Sequence, residues 1–420
     1  MKILYVCADR YPNDGACTNL LKKLFFEGGL IKKYEIELAT YKYKICDKDA
    51  ETIDRVKINR LFSLYNISMK NLTKHIYNFK IFFWGILLKV KSRLLLHCPY
   101  NIDIEKMREI KLYLLHLCET EKYDIIVGVA GCYEMAIAAK NIAVEKSIPF
   151  VLYQVDPFST NIMYSQDTQE KRLAIEMELY SSAAKVFTTK IILDEMLKRF
   201  SMESLGNVEV MEFPGVSVRE EQTEIEKRVN SKITCVFAGR VYAGVRNPTF
   251  AIEIFRHLSN NIEFKLVGVT ESELKKLFAI ESLPENVKCC GLLSVEEADK
   301  AIMSADVLIN IGNIMKNQVP SKLFSYISTG KPIINICENP DCPSKEYLEK
   351  YPLAISIDIN DAELDNNVIE VENFIRANCS KTCNLLEISK IYRTCTPKYC
   401  AMQMDKAFNK ICGMKKETKK

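Results

Sequence analysis

Residues 55–102 contain neither Asp nor Glu, although 54 acids in 420 residues predict about six in that length. Nine basic residues occupy the same stretch: Arg55, Lys57, Arg60, Lys70, Lys74, Lys80, Lys89, Lys91 and Arg93. The whole chain carries a formal charge of +4, so without this stretch the rest is net negative. A nucleic-acid partner finds no support, because the basic excess is local and no nucleic-acid motif accompanies it.

Other absences narrow the field further. Sixteen cysteines are present but no C-x-x-C pair, and the four histidines, His75, His97, His116 and His257, are not at zinc spacing from any of them. Reduced, mostly buried thiols in a cytosolic protein are therefore expected. No internal repeat or low-complexity tract interrupts the sequence. The apolar run Ile81 to Leu88, with the chain's only Trp at position 84, is too short for a hydrocarbon core that needs about twenty residues. Met1 to Ala8 is too short for a signal peptide and suits a first strand. The loop after it has only Gly15 where a G-x-G-x-x-G fingerprint needs three glycines, so a dinucleotide is not signalled.

What is present is a regular alternation. Apolar strand patterns at 3–7, 35–40, 56–61, 124–129, 149–155 and 184–189 are separated by helix-length amphipathic segments, as are those at 233–238, 263–268, 287–289, 307–310, 333–336 and 354–357. Such alternation predicts βαβ units and parallel sheets. Between the two sets, residues 217–231 are charged and poor in apolar groups, the composition of a linker. With 420 residues there is length for two α/β domains with full cores.

Ligands of open parallel sheets bind beyond the carboxyl ends of strands, where backbone amides and helix N-termini favour anions. Two stretches of the second half suit this chemistry. After the strand 233–238 come Gly239, Arg240 and Arg246, a glycine that lets a ligand approach the backbone and two arginines suited to phosphate; two solvated loop arginines are the plainer reading. After the strand 307–310 a polar loop leads to Pro320, which suits a first helical turn, with Ser321 and Lys322 at the helix start, Leu323, Phe324 and Ile327 as its apolar stripe, and Gly330 as its stop. In the first half, Asp156 follows a strand and is either a base or acceptor ligand at a crevice or a cap of the Asp156-Pro157 turn.

The segment from Pro320 to Pro332 resembles the donor-binding helix of GT-B glycosyltransferases of the family 4 type, in which a proline-serine-lysine-leucine start and a glycine-lysine-proline finish are common. The resemblance implies two Rossmann-like, doubly wound α/β domains: residues 1–216 binding the acceptor, the 217–231 linker, residues 232–390 binding the nucleotide sugar, a helix at 391–413 crossing back to the first domain, and a basic tail at 414–420. It also implies Arg240 on the donor diphosphate, with Arg246 in place of the family's second basic residue, and Gly239, Pro320, Ser321 and Leu323 in the donor cradle. Gly15 matches a glycine near the donor phosphate or acceptor; an ordinary strand-to-helix turn is the alternative. Ser325 stands where the family usually has a glutamate and Asn317 where it often has an acid, so these two, with Gln318, would face the ribose or sugar.

Transfer with retention of configuration follows from the resemblance. No metal or other cofactor is expected, since Arg240, Arg246, Lys322 and the amides near Ser321 supply positive charge themselves. The acid-free stretch suits an anionic membrane surface and a lipid-linked acceptor at the inner face of a bacterial membrane, as in capsule, exopolysaccharide or O-antigen assembly. A core helix whose lysines snorkel into water is the alternative for that stretch. For the whole chain, the alternatives are a nucleotide-sugar epimerase of the same plan and a non-catalytic nucleotide-sugar-binding scaffold.

Overall fold

A computed structural model describes residues 1–11, 15–44, 46–63, 83, 103–161, 166–217, 232–360 and 363–417. Most of the acid-free stretch, with its apolar run, lies outside the described residues, as does nearly all of the charged 217–231 segment. The chain divides into two compact units, Met1–Pro214 with Pro397–Lys420, and Gly215–Thr396.

The first unit is built on an eight-stranded sheet. Its strands are β1 (Lys2–Val6), β2 (Glu35–Tyr41), β3 (Ala50–Ile53), β4 (Val56–Leu61), β5 (Ile125–Val129), β6 (Phe150–Gln154), β7 (Lys185–Thr188) and β8 (Val208–Val210). They lie in the order β3-β4-β2-β1-β5-β6-β7-β8, parallel except that β3 runs against β4. Central strands are buried on both faces, so β1 and β5 read as unbroken apolar runs. Helices Ile104–Thr120 and Tyr133–Glu145 contribute Ile110, Leu114, Ala136, Ala139 and Ile142 to the core. Asp103 caps the first of them, its carboxylate accepting from the Lys106 amide at 3.1 Å.

One helix of this unit comes from the far end of the chain. After a break at Thr396, where Pro397 can open a helix without losing a hydrogen bond, Pro397–Glu417 packs on the unit's first elements. Asp405 accepts from Lys33 and from the Tyr34 hydroxyl, each at 2.6 Å, while Phe408 meets Tyr34 edge to face at 5.7 Å.

The second unit has six parallel strands: β9 (Ile233–Ala238), β10 (Ile262–Val267), β11 (Val287–Gly291), β12 (Val307–Ile311), β13 (Ile333–Cys337) and β14 (Ala354–Asp358). Their order is β11-β10-β9-β12-β13-β14. Helices Glu271–Phe278 and Val295–Ser304 each begin with a full capping box, Thr270 with Glu273 and Ser294 with Glu297. The short helix Lys322–Ile327 stops three residues before Gly330, whose φ of 74° provides the left-handed turn into β13.

Candidate functional site

In a sheet of this kind the crevice forms where successive connections diverge to opposite sides. For the second unit that place lies between β9 and β12, because β9 leads outward to β10 and β11 whereas β12 leads to β13 and β14. Two loops meet there, residues 239–248 and 312–321. The Ile314 amide donates to the Val245 carbonyl at 2.8 Å, and Tyr242 and Arg246 pair their backbones across a tight hairpin.

Arg246 joins the two loops through its side chain. Its Nε and Nη2 donate to Asn313 Oδ1 at 3.1 and 2.7 Å, and its Nη1 donates to the Arg240 carbonyl at 3.3 Å. Asn313 is buried, and its Nδ2 donates to the Gln318 carbonyl and side-chain oxygens at 3.2 and 3.3 Å. Burial lowers the Arg246 pKa, and its electrostatic neighbours are the phenols of Tyr326 and Tyr242. Among the described residues no carboxylate is within ion-pair distance of it. An arginine keeps its proton under any physiological condition, so this is a half-buried cation held by neutral oxygens.

Arg240 differs. It is exposed and pairs with Glu273 at 3.2 Å. The Thr270 amide and hydroxyl, and then Arg240, hold the Glu273 carboxyl below the usual range. Glu273 therefore stands where an incoming anion would compete for Arg240.

Backbone geometry keeps the crevice narrow. Gly268 has φ of 90°, and a Cβ there would lie 2.7 Å from the Gly239 carbonyl oxygen. Only glycine lets the end of β10 come this close to the Gly239 loop. Tyr326 pins the end of β9: its hydroxyl accepts from the Ala238 amide at 2.7 Å and donates to the Ala238 carbonyl at 3.3 Å.

The helix start differs from the sequence expectation. Pro320 was read as lying in the first helical turn, whereas the helix begins at Lys322, preceded by a tighter turn in which the Leu323 amide donates to the Pro320 carbonyl at 3.0 Å. That bond uses an amide that an anion would otherwise take. Ser321, Lys322 and Ser325 are half-buried; Pro320 and Asn317 are buried. Leu323 is fully buried.

Gly15 and Asp156 belong to the first unit. Gly15 has φ of 104° and precedes the helix Ala16–Lys22. The Asp9 carboxylate accepts from the Cys17 and Thr18 amides at 2.9 and 3.4 Å, and a Cβ on Gly15 would overlap it. The chain's own carboxylate therefore occupies the helix start that an incoming phosphate would use. Asp156 is half-buried beyond β6, its carbonyl accepting from Tyr133 Oη at 3.1 Å and Gln154 Nε2 at 3.3 Å. A hydrogen bond with Cys7, then burial, pushes the Cys17 thiol up, and Asp9 and Asp156 both add to the shift. The two acids thus share one neighbourhood at the carboxyl ends of β1 and β6.

The tripeptide Asp47-Lys48-Asp49 has the D-x-D spacing that can bring two carboxylates to a divalent ion. Here Asp47 accepts from the Tyr43 and Lys44 amides at 3.0 and 2.9 Å, and Asp49 pairs with Lys42 at 2.5 Å. Among the described residues no group of three metal-ligating side chains comes together.

Of the nine basic residues between 55 and 102, two are already committed. Lys57 pairs with Glu37 and Glu121 at 3.1 and 2.7 Å, and Arg60 pairs with Glu51 at 2.5 Å. The bases from Lys70 to Arg93 lie outside the described residues. Among the described residues no helix is long and apolar enough to cross a membrane.

Sequence reasoning missed Asn313, Glu273, Tyr326 and Asp9. The sequence carries no signal for the first three, whose roles depend on partners 67, 33 and 88 positions away. Asp9, six residues before Gly15 on a strand-to-helix loop, was open to reading as the cap of that helix.

No protein-family model matches the sequence, and no curated protein matches it. Solved structures do match in three dimensions. Sucrose-phosphate synthase from Thermosynechococcus elongatus aligns with a TM-score of 0.70 at 12% identity, covering 98% of this chain and 99% of that one. Alr3699/HepE from Anabaena, in complex with UDP, aligns with a TM-score of 0.60 at 10% identity, over 98% and 100%. UDP-GlcNAc 2-epimerase from Methanocaldococcus jannaschii aligns with a TM-score of 0.51 at 10% identity, over 94% and 99%. Likeness over the full length of both chains, with two parallel-dominated sheets, establishes the fold: this chain is an α/β protein with the GT-B fold of the glycosyltransferases.

Proposed function

We propose that this chain is a retaining, metal-independent glycosyltransferase that moves a sugar from a nucleoside diphosphate donor to a lipid-linked glycan in cell-surface polysaccharide assembly. The observation that carries the donor half is Arg246: a half-buried guanidinium at the switch point of the second sheet with no carboxylate against it among the described residues. Burying an unpaired charge is costly, and a diphosphate supplies the missing anion. A protein of the same fold holds UDP.

Glycosyl transfer breaks the bond between the anomeric carbon and a β-phosphate oxygen, and negative charge grows on that oxygen as it leaves. Fixed positive charge in a partly dry crevice favours that state over the intact donor. Arg246 supplies such charge in place. Arg240 adds its own by exchanging Glu273 for the phosphate, and Lys322 with the amides beside Ser321 completes the cradle. Gly239 allows close approach of the backbone, and Asn317, Gln318 and Ser325 face the ribose or sugar. Asp156 acts on the acceptor hydroxyl from the first unit. The acid-free 55–102 stretch supports a peripheral place on the inner face of the membrane, where each lysine or arginine is attracted by roughly 1 kcal/mol.

Incubation of purified protein with UDP- and GDP-sugars, with and without a polyprenyl-phosphate-linked glycan, tests this reading. Glycosylated lipid formed only when acceptor is present supports it. Likeness to an epimerase favours a second reading, in which the donor sugar is isomerised without any acceptor. Binding without chemistry on either route would leave a nucleotide-sugar scaffold. Within the transferase reading, Arg240→Ala and Lys322→Ala should each weaken UDP binding about tenfold and leave uridine binding unchanged, as read by titration calorimetry.

A further inference from the structure

Arg246 is held in place by one side chain. Asn313 gives it the same acceptor oxygen twice, at 3.1 and 2.7 Å, and Asn313 is in turn held by two oxygens of Gln318. The relay runs from the loop after β9 to the loop after β12, so it fixes both the rotamer of the guanidinium and the spacing of the two loops.

The chemistry of the acceptor matters as much as its position. A carboxylate here would hold the guanidinium equally well and would accept stronger, charge-assisted bonds. It would also neutralise the cation. A carboxamide offers the same oxygen at the same reach with no net charge. The Nδ2 bonds to Gln318 settle which end of the amide faces Arg246, since the two Gln318 oxygens need a donor.

We propose that Asn313 is a positioning residue for anion recognition: a neutral clamp that orients Arg246 toward the crevice while leaving its charge for a diphosphate. The inference rests on the donor-site reading above and adds to it the statement that affinity at this site depends on residue 313 being uncharged. Asn313 touches the guanidinium and Gln318, so changing it should alter recognition of the diphosphate and leave recognition of the nucleoside alone.

Titration calorimetry of the full chain with UDP, with GDP in parallel, and with uridine and inorganic pyrophosphate tests this, alongside a thermal melt of each variant. Asn313→Asp should weaken UDP binding about tenfold or more and change uridine binding less than about twofold, with a melting temperature at or somewhat below that of the parent, because its second oxygen cannot donate to the two Gln318 oxygens. Asn313→Ser, which keeps a shorter neutral acceptor, should show a smaller loss. Should Asn313→Asp fail to fold, Asn313→Leu replaces it, with loss of UDP binding expected because the clamp is gone while the charge remains. Asn313→Asp, or in its place Asn313→Leu, binding UDP as the parent does while Arg246→Ala has lost it overturns the proposal and leaves the donor reading intact. If Arg246→Ala and the parent bind UDP and pyrophosphate alike, the donor reading itself fails.

Discussion

Replacing Gly268 by Ala would put a methyl carbon 2.7 Å from the Gly239 carbonyl oxygen, at a φ of 90° that side chains rarely adopt. We expect a loss of about 1–3 kcal/mol in stability together with weaker UDP binding, because the loop that has to yield carries Arg240 and Arg246. Thermal melts and calorimetry on the same sample check both. Tyr326→Phe removes the hydroxyl paired with the Ala238 amide and carbonyl, leaving that amide without a partner at the end of a buried strand. The expected cost is about 1–3 kcal/mol in a chemical denaturation curve. At this scale the sequence reveals charge and hides partnership. Arg240 and Arg246 stand out because they are basic residues on a loop after a strand and a glycine. Asn313 does not, since an asparagine in a polar loop suits a turn, a cap or nothing in particular, and only β9 lying beside β12 brings it to Arg246.

Strands were the most legible elements. The apolar runs at 233–238, 307–310 and 333–336 lie within β9, β12 and β13, because strands buried on both faces leave continuous apolar patterns. β3 escaped notice for the opposite reason. It is a half-exposed edge strand, Ala50–Ile53, joined to β4 by Asp54 and Arg55 at φ 48° and 70°. A two-residue hairpin turn of this type normally advertises itself with Asn-Gly or Asp-Gly, and here the second residue is an arginine. The returning helix expected at 391–413 runs Pro397–Glu417, opened by Pro397, and is preceded by a separate helix Leu385–Ile391 and a short turn Arg393–Cys395.

Across β1, β2 and β4, Glu37 lies buried against Lys2 and Lys57 at 2.7 and 3.1 Å. Burial alone would raise its carboxyl, but Lys2, Tyr123, Lys57 and Asn59 together hold it below its ordinary 4.5. A carboxyl depressed in the folded state stabilises above that ordinary value and loses its contribution as pH falls through the folded pKa. Glu37→Gln should therefore melt lower than the parent at pH 7, by about 1–3 kcal/mol, with the gap closing below about pH 4. A series of melts between pH 3 and 7 reads this directly.

The whole molecule has two sheets of the same plan and an uneven distribution of charge. The division into two α/β domains was open to reading because the charged 217–231 segment breaks the alternation, and the loops after β9 and β12 because both follow a strand in the second half. The proposed membrane relation rests on the absence of Asp and Glu from the sequence between Asp54 and Asp103. Flotation with anionic vesicles should show loss of binding when Lys89, Lys91 and Arg93 are changed together to Gln; undiminished binding would remove the electrostatic part of that reading.

Residues 397–417 complete the first unit through the contacts that Tyr34 and Lys33 make with Asp405, and through Gln403, whose amide donates to the Val210 carbonyl at 2.9 Å. On a ribosome the amino-terminal half is therefore made first and finished last. Its sheet must wait, with Tyr34 and the end of β8 uncovered, while all of residues 215–396 are synthesised, and the second unit can reach its native state before the first does. A stalled or prematurely released chain would carry an intact second lobe on an unfinished first one, which gives quality-control proteases a clear place to begin.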